Sequence, residues 1–119
     1  MAAFEIIFLG TCACDFSPRL KGDCKDRFDK DVRRSSSILM NGHILVDCGP
    51  HTPGSLAIAG APLASVTDIF VTHLHDDHFD AENIGRIASA KEEKLRLWVR
   101  EDAQFAPIAN TEVVRMRIG

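Results

Sequence analysis

The stretch Thr72-His73-Leu74-His75-Asp76-Asp77-His78 decides how this chain is read, because three of its five histidines and two carboxylates fall there within seven residues. Asp68-Ile69-Phe70-Val71, just before it, is an apolar run with β-branched and aromatic members, the pattern of a buried strand. Side chains alternate along extended backbone, so a strand continuing past Thr72 turns His73 and His75 to one face and Leu74 to the other. A turn after His75 brings Asp77 and His78 alongside, which gathers nitrogen donors and an oxygen donor at the carboxyl end of a strand. Imidazoles packed together without a cation gain little and repel one another when protonated. The spacing therefore predicts a metal site made from His73, His75, Asp77 and His78. Imidazole with carboxylate, and no thiolate required, suits zinc best; iron, manganese or nickel are compatible, since affinity alone does not select among divalent ions.

Working outward, Ile44-Leu45-Val46 runs into Asp47. A carboxylate closing an apolar strand is costly to bury unless a donor meets it, and a histidine or a backbone amide of the metal loop would serve. Asp47 is thus expected to support a ligand without touching the ion. Asn41-Gly42 is a strong two-residue hairpin signal between Ile38-Leu39-Met40 and a return strand from His43 to Cys48, and it leaves His43 exposed beside the turn. The segment from Asp47 to Gly54 reads as a loop by its Gly and Pro content, with His51 near the mouth of the site rather than among the ligands. Phe4 to Leu9, closed by Gly10, reads as the first and central strand. A short helix is expected over Ser55 to Gly60 and a longer one over Asp80 to Lys91, where Ala81, Ile84, Ile87 and Ala88 keep a helical period. Leu95, Leu97 and Val99 alternate as a strand, Glu101 to Ala109 reads as a short helix, and Val113 onward as a further strand. Strands alternating with helices argue an α/β layer in which helices cover one face of a mixed sheet.

Length and composition bound the possibilities. A chain of 119 residues fits one domain with a modest core, and its 45% apolar and 26% charged content is that of an ordinary globular protein. No apolar run approaches the roughly 20 residues of a membrane-spanning helix, and Glu5 near a start without basic residues argues against a signal peptide. A cytoplasmic location and no membrane partner are expected. The net charge of −3 disfavours nucleic acid as a partner. Lys21 to Arg34 holds six basic and four acidic side chains, the composition of a solvated loop, although Arg33 or Arg34 at the rim of a site could meet an anionic substrate. Cys12, Cys14 and Cys24 do not have the spacing of a recognised zinc pair and read as reduced thiols, with a structural metal as the alternative.

His73-x-His75-x-Asp77-His78 after an apolar strand resembles the signature of the metallo-β-lactamase-fold hydrolase superfamily. Ile7-Phe8-Leu9-Gly10-Thr11 and Ile44-Leu45-Val46-Asp47-Cys48-Gly49-Pro50 resemble two further stretches of it, and the Ser-rich lead into Ile38-Leu39 is similar to the phosphodiesterase branch of the PhnP and RNase Z type. The resemblance implies a hydrolase in which one or two zinc ions activate water, with Asp77 as the catalytic carboxylate that also binds the second ion. Phosphodiesters, lactones, thioesters and β-lactams are all substrates within the superfamily, and the branch favours a phosphodiester. Domains of this kind are about twice as long and built as two αββα halves. The chain is therefore expected to be a single domain over residues 1–119, truncated at its carboxyl end and holding the first half alone. No His follows His78, so the remaining ligands are expected from elsewhere. A metal-binding but catalytically silent fragment, or a half needing a partner, is the alternative, with association of copies through open strand edges.

Overall fold

Asn41 and Gly42 both take positive φ, 52° and 77°, the left-handed backbone that lets a short turn join two twisted antiparallel strands. That hairpin sits in the middle of a chain whose computed structural model describes residues 3–11, 34–76 and 78–117. The elements run β1 (Ile6–Gly10), β2 (Ser37–Met40), β3 (Ile44–Val46), α1 (Thr52–Ile58), β4 (Asp68–Phe70), α2 (Ala81–Ser89), β5 (Leu95–Arg100) and β6 (Thr111–Met116), with one short 3-10 turn at Leu63–Ser65. Cys12, Cys14, Cys24, most of the charged segment including Arg33, and Asp77 lie outside the described residues.

The strands form one sheet in sequential order, β1-β2-β3-β4-β5-β6. The first two pairings are antiparallel and the last three parallel, so the sheet is mixed. Parallel neighbours need a crossover, and α1 and α2 supply two of them. Register carries Ile7, Leu39, Leu45, Ile69 and Leu97 along one row of the sheet. Leu56 of α1 and Ile84, Ile87 and Ala88 of α2 join this face in a single buried cluster. The expected helical period of α2 is thereby explained: its buried residues are Asn83, Ile84, Ile87 and Ala88, and the Asp80 carboxylate caps it by accepting from the Asn83 N–H.

The opposite face carries a second row. Phe8, Ile38, Val46, Phe70, Trp98 and Val114 lie in register across all six strands. Phe70 and Trp98 stack with ring centroids 4.9 Å apart, while Phe8 at the end of the row is 68% exposed. No helix among the described residues packs on this face.

Four expectations need correction. The Phe4 to Leu9 run forms a strand, but among the described residues β1 lies at the edge of the sheet rather than its centre. Its apolar character reflects two faces that both carry hydrophobic rows, which a one-dimensional pattern cannot distinguish from central burial. The loop assigned to Asp47–Gly54 is shorter than expected, because α1 already begins at Thr52 with Pro53 in its first turn; a proline is tolerated there since its missing N–H has no helical acceptor. The hairpin loop spans three residues, with Met40 opposite Ile44. Glu101 to Ala109 is not helical. Pro107 removes a donor there and Phe105 packs on Phe79 with centroids 5.2 Å apart, so the segment crosses the end of the sheet as a tethered loop.

Gly10 closes β1 where a side chain has no room: a Cβ would strike the carbonyl oxygens of Ser35 and Arg34. Below the apolar row, Asp68 at the start of β4 is 7% exposed. It accepts from Arg96 Nε and Nη2, both at 2.7 Å, from Trp98 Nε1 at 2.8 Å and from Thr67 Oγ1 at 2.7 Å. The Arg96 guanidinium, ahead of the Thr67 and Trp98 donors, holds the Asp68 carboxyl well below the usual carboxylate range. A carboxylate whose folded pKa is depressed contributes stability that is complete above its unfolded pKa, about 3.9, and is lost as pH falls toward the folded value. The thermal midpoint of the chain should therefore fall below about pH 4. Asp68→Asn should lower the midpoint at neutral pH and flatten that acid limb, which a melting series from neutral to acid pH will read.

Candidate metal centre

The site is assembled where β3 and β4 leave the sheet. The backbone beyond β4 stays attached to its neighbours, with Asp47 N–H donating to Phe70 O at 2.7 Å and Val71 N–H to Trp98 O at 2.9 Å. The loop then turns on itself: the N–H groups of His78 and Phe79 both donate to His75 O, at 2.9 and 2.8 Å. Cys48 N–H donates to His78 O at 2.9 Å and Asp80 N–H to Cys48 O at 2.7 Å, stitching the far side of the loop to the exit of β3. A seven-residue stretch is thus held at both ends by backbone hydrogen bonds, which is what allows short polar side chains on a loop to keep fixed positions.

The sequence expectation brought His73, His75, Asp77 and His78 together. The structure brings three of these rings into contact: His73 lies 4.7 Å from His75 and 4.1 Å from His78 between centroids. Asp77 lies outside the described residues. Asp47, 4% exposed, accepts from His78 Nδ1 at 2.6 Å, from Thr72 N–H at 2.8 Å and from the Thr72 hydroxyl at 2.9 Å to Oδ2 and 3.0 Å to Oδ1. Its backbone takes φ 64°, a left-handed conformation that Asp tolerates better than most residues and that turns the carboxylate toward the loop. The Ser37 hydroxyl donates to Asp47 O at 2.8 Å and pins that turn from below. Thr72, which the sequence reading passed over, places its hydroxyl between Asp47 and His73; the one signal for it was a hydroxyl directly before His73.

Two histidines have other duties. His43 is exposed, and its Nδ1 lies 3.0 Å from Thr67 Oγ1. His51 is 4% exposed and accepts at Nδ1 from Ser35 N–H at 2.9 Å, while burial and the Arg34 charge push its pKa down. It is packed into the scaffold rather than placed at the mouth of the site. Cys48 is fully buried, and burial, with Asp80 next, raises its thiol far above the usual range, so it stays protonated and is unsuited to bind a metal. A cleft of about 250 Å³ opens beside His73 at the carboxyl ends of β4 and β5, with Val71 and Val99 as its floor and Arg100 and Gln104 at its rim.

Imidazole rings in mutual contact, one of them anchored through Nδ1 by a carboxylate, are a donor set whose chemistry fits a divalent ion. Among the described residues no group of three His, Cys, Asp or Glu side chains is arranged to hold an ion by itself.

Comparison with solved structures places this fold. The chain is similar to the metallo-β-lactamase fold protein YhfI from Bacillus subtilis, with a TM-score of 0.68 and 16% identity, covering 95% of this chain and 45% of that one. It is also similar to human tRNase Z, short form (ELAC1), with a TM-score of 0.59 and 26% identity, covering 82% of this chain and 35% of that one. The protein is therefore a metallo-β-lactamase-fold protein, an α/β structure that corresponds to part of its longer relatives. Among curated proteins, the ribonuclease Z of Methanothermobacter thermautotrophicus is 37% identical over 75 residues, which cover 62% of this chain and 21% of that protein. A family model described as Anti-Pycsar protein Apyc1 matches residues 27–105, about two thirds of the chain, and the chain belongs to that family. It spans less than half the length of each of these three relatives. No helix among the described residues is long and apolar enough to cross a membrane.

Proposed function

We propose that this chain is the metal-binding part of a zinc-dependent hydrolase that cleaves a phosphodiester. The observation that carries the reading is the meeting of His73, His75 and His78 at the end of β4, with Asp47 bound to His78 Nδ1 at 2.6 Å. In this reading His73 and His75 hold one ion, Asp77 and His78 a second, and manganese or iron could replace zinc. A bound divalent ion supplies an acidified water and polarises the bond under attack. The protein's own share is positional. Asp77 orients the water, and Asp47 fixes the ring of His78 and makes its other nitrogen a better donor. The cleft beside His73 seats the substrate, with Arg100 at its rim as a charge-assisted donor to a phosphate oxygen. The name of the ribonuclease Z relative supports a phosphodiester. The overall charge of −3 favours a small diester over a long polyanion.

We also propose that residues 1–119 form a single domain that is incomplete as a catalyst, in a cytoplasmic protein. Two ligands per ion fall short of the three a catalytic zinc ordinarily has, and among the described residues no helix covers the row from Phe8 to Val114. The test is hydrolysis of bis(p-nitrophenyl) phosphate with zinc or manganese. Residues 1–119 alone should stay near background, and a polypeptide that runs on through any downstream reading frame should turn over. Robust turnover by the short chain, abolished by His75→Ala, would overturn incompleteness. Absence of both turnover and zinc binding in either polypeptide would overturn the hydrolase reading.

A further inference from the structure

We infer that Thr72 is a positioning residue whose hydroxyl relays the hold of Asp47 to His73, so that one carboxylate sets the tautomers of two imidazoles. The Thr72 Oγ1 lies 2.9 Å from Asp47 Oδ2, 3.0 Å from Asp47 Oδ1 and 3.0 Å from His73 Nδ1. A hydroxyl has one proton to give, and a carboxylate only accepts. The Thr72 proton therefore goes to Asp47, and what Oγ1 turns toward His73 is a lone pair. At 3.0 Å that contact is a hydrogen bond only if Nδ1 carries the imidazole proton; in the other tautomer two lone pairs face each other. The relay fixes His73 with its proton on Nδ1 and its lone pair on Nε2. His78 reaches the same state directly, since its Nδ1 lies 2.6 Å from Asp47 Oδ2 and must be the donor. Both rings then present Nε2. Among the described residues no hydrogen bond fixes His75 in this way, so its tautomer is an internal control.

The pattern has an economy that geometry explains. Asp47 cannot reach His73 while it accepts from His78, from Thr72 N–H and from the Thr72 hydroxyl, but the hydroxyl sits between them. The backbone N–H of Thr72 holds Asp47 Oδ1 at 2.8 Å independently of the side chain, so the loop position survives loss of the hydroxyl. Thr72 is exposed, which leaves room for an isosteric replacement.

The experiment is long-range proton–nitrogen correlation NMR on the metal-free chain labelled at histidine nitrogens, at a pH where the rings are neutral. The wild type should show His73 and His78 protonated at Nδ1. Thr72→Val should shift His73 toward the Nε2-protonated form and leave His78 and His75 unchanged, while Thr72→Ser should restore the wild-type pattern; Thr72→Ala gives the same reading should valine disturb the loop. Zinc affinity, measured by competition with a chromophoric chelator, should fall about tenfold in Thr72→Val and recover in Thr72→Ser. A wild-type His73 protonated at Nε2, or a tautomer indifferent to Thr72→Val, would overturn the relay. The metal consequence rests on the hydrolase reading and the tautomer does not: a shifted tautomer with no zinc bound by any variant would uphold the relay and count against that reading instead.

Discussion

His73→Ala and His75→Ala should each lower zinc affinity by more than about 100-fold, beyond the range typical of residues that only support a ligand, whereas His43→Ala should leave it unchanged. The three histidines differ in what surrounds them. His73 and His75 meet ring to ring, 4.7 Å between centroids, on a loop clamped by backbone hydrogen bonds at both ends. His43 sits exposed beside the β2–β3 turn, with Nδ1 against Thr67 Oγ1 at 3.0 Å. With so few donors among the described residues of the loop, each lost imidazole removes a large share of the coordination. Equilibrium dialysis against a competing chelator reads the three affinities on one scale. Equal losses in all three variants would sink the assignment of the site to this loop.

Asp47→Ala should lower zinc affinity by about 10- to 100-fold although Asp47 is placed to touch the histidine rather than the ion. Removing the carboxylate leaves His78 Nδ1 without its acceptor at 2.6 Å and both donors of Thr72 without theirs. Alanine also suits the left-handed φ of 64° less well than Asp. Asp47→Asn separates these effects: it tolerates that backbone and keeps one acceptor oxygen, which can serve His78 and the Thr72 hydroxyl at the Oδ2 position or the Thr72 N–H at the Oδ1 position, but not both. Affinity should therefore follow the order Asp, Asn, Ala, with the thermal midpoint falling most in the alanine variant. Zinc affinity and midpoint both unchanged in Asp47→Ala would show that the carboxylate is only a loop acid.

Much of this arrangement was legible in the sequence because it is written locally. The period of Ala81 to Ala88, the alternation of Leu95, Leu97 and Val99, and the Asn41-Gly42 turn each depend on neighbours a few residues away, and each element is present. Asp47 was legible for a different reason: a carboxylate ending an apolar strand requires a donor, and the structure supplies Thr72 and His78. What escaped is non-local. Asp68 and Arg96 are bonded across neighbouring strands but lie 28 residues apart, so neither announces the other. The place of β1 at the sheet edge follows from the order of pairing, which an apolar run does not encode. Glu101 to Ala109 has helical composition, yet packing of Phe105 on Phe79 outweighs a weak local preference.

The row from Phe8 to Val114 has a consequence for the life of this polypeptide in a cell. Contiguous apolar side chains on a folded surface are what chaperones and proteases sample, because that same feature marks an unfinished chain. Among the described residues Phe8 is 68% exposed and Ile6 47% exposed beside it, which gives this edge of the sheet the address label of a folding intermediate. Any cover over that face would therefore protect the chain twice, by burying apolar area and by hiding it from that sampling.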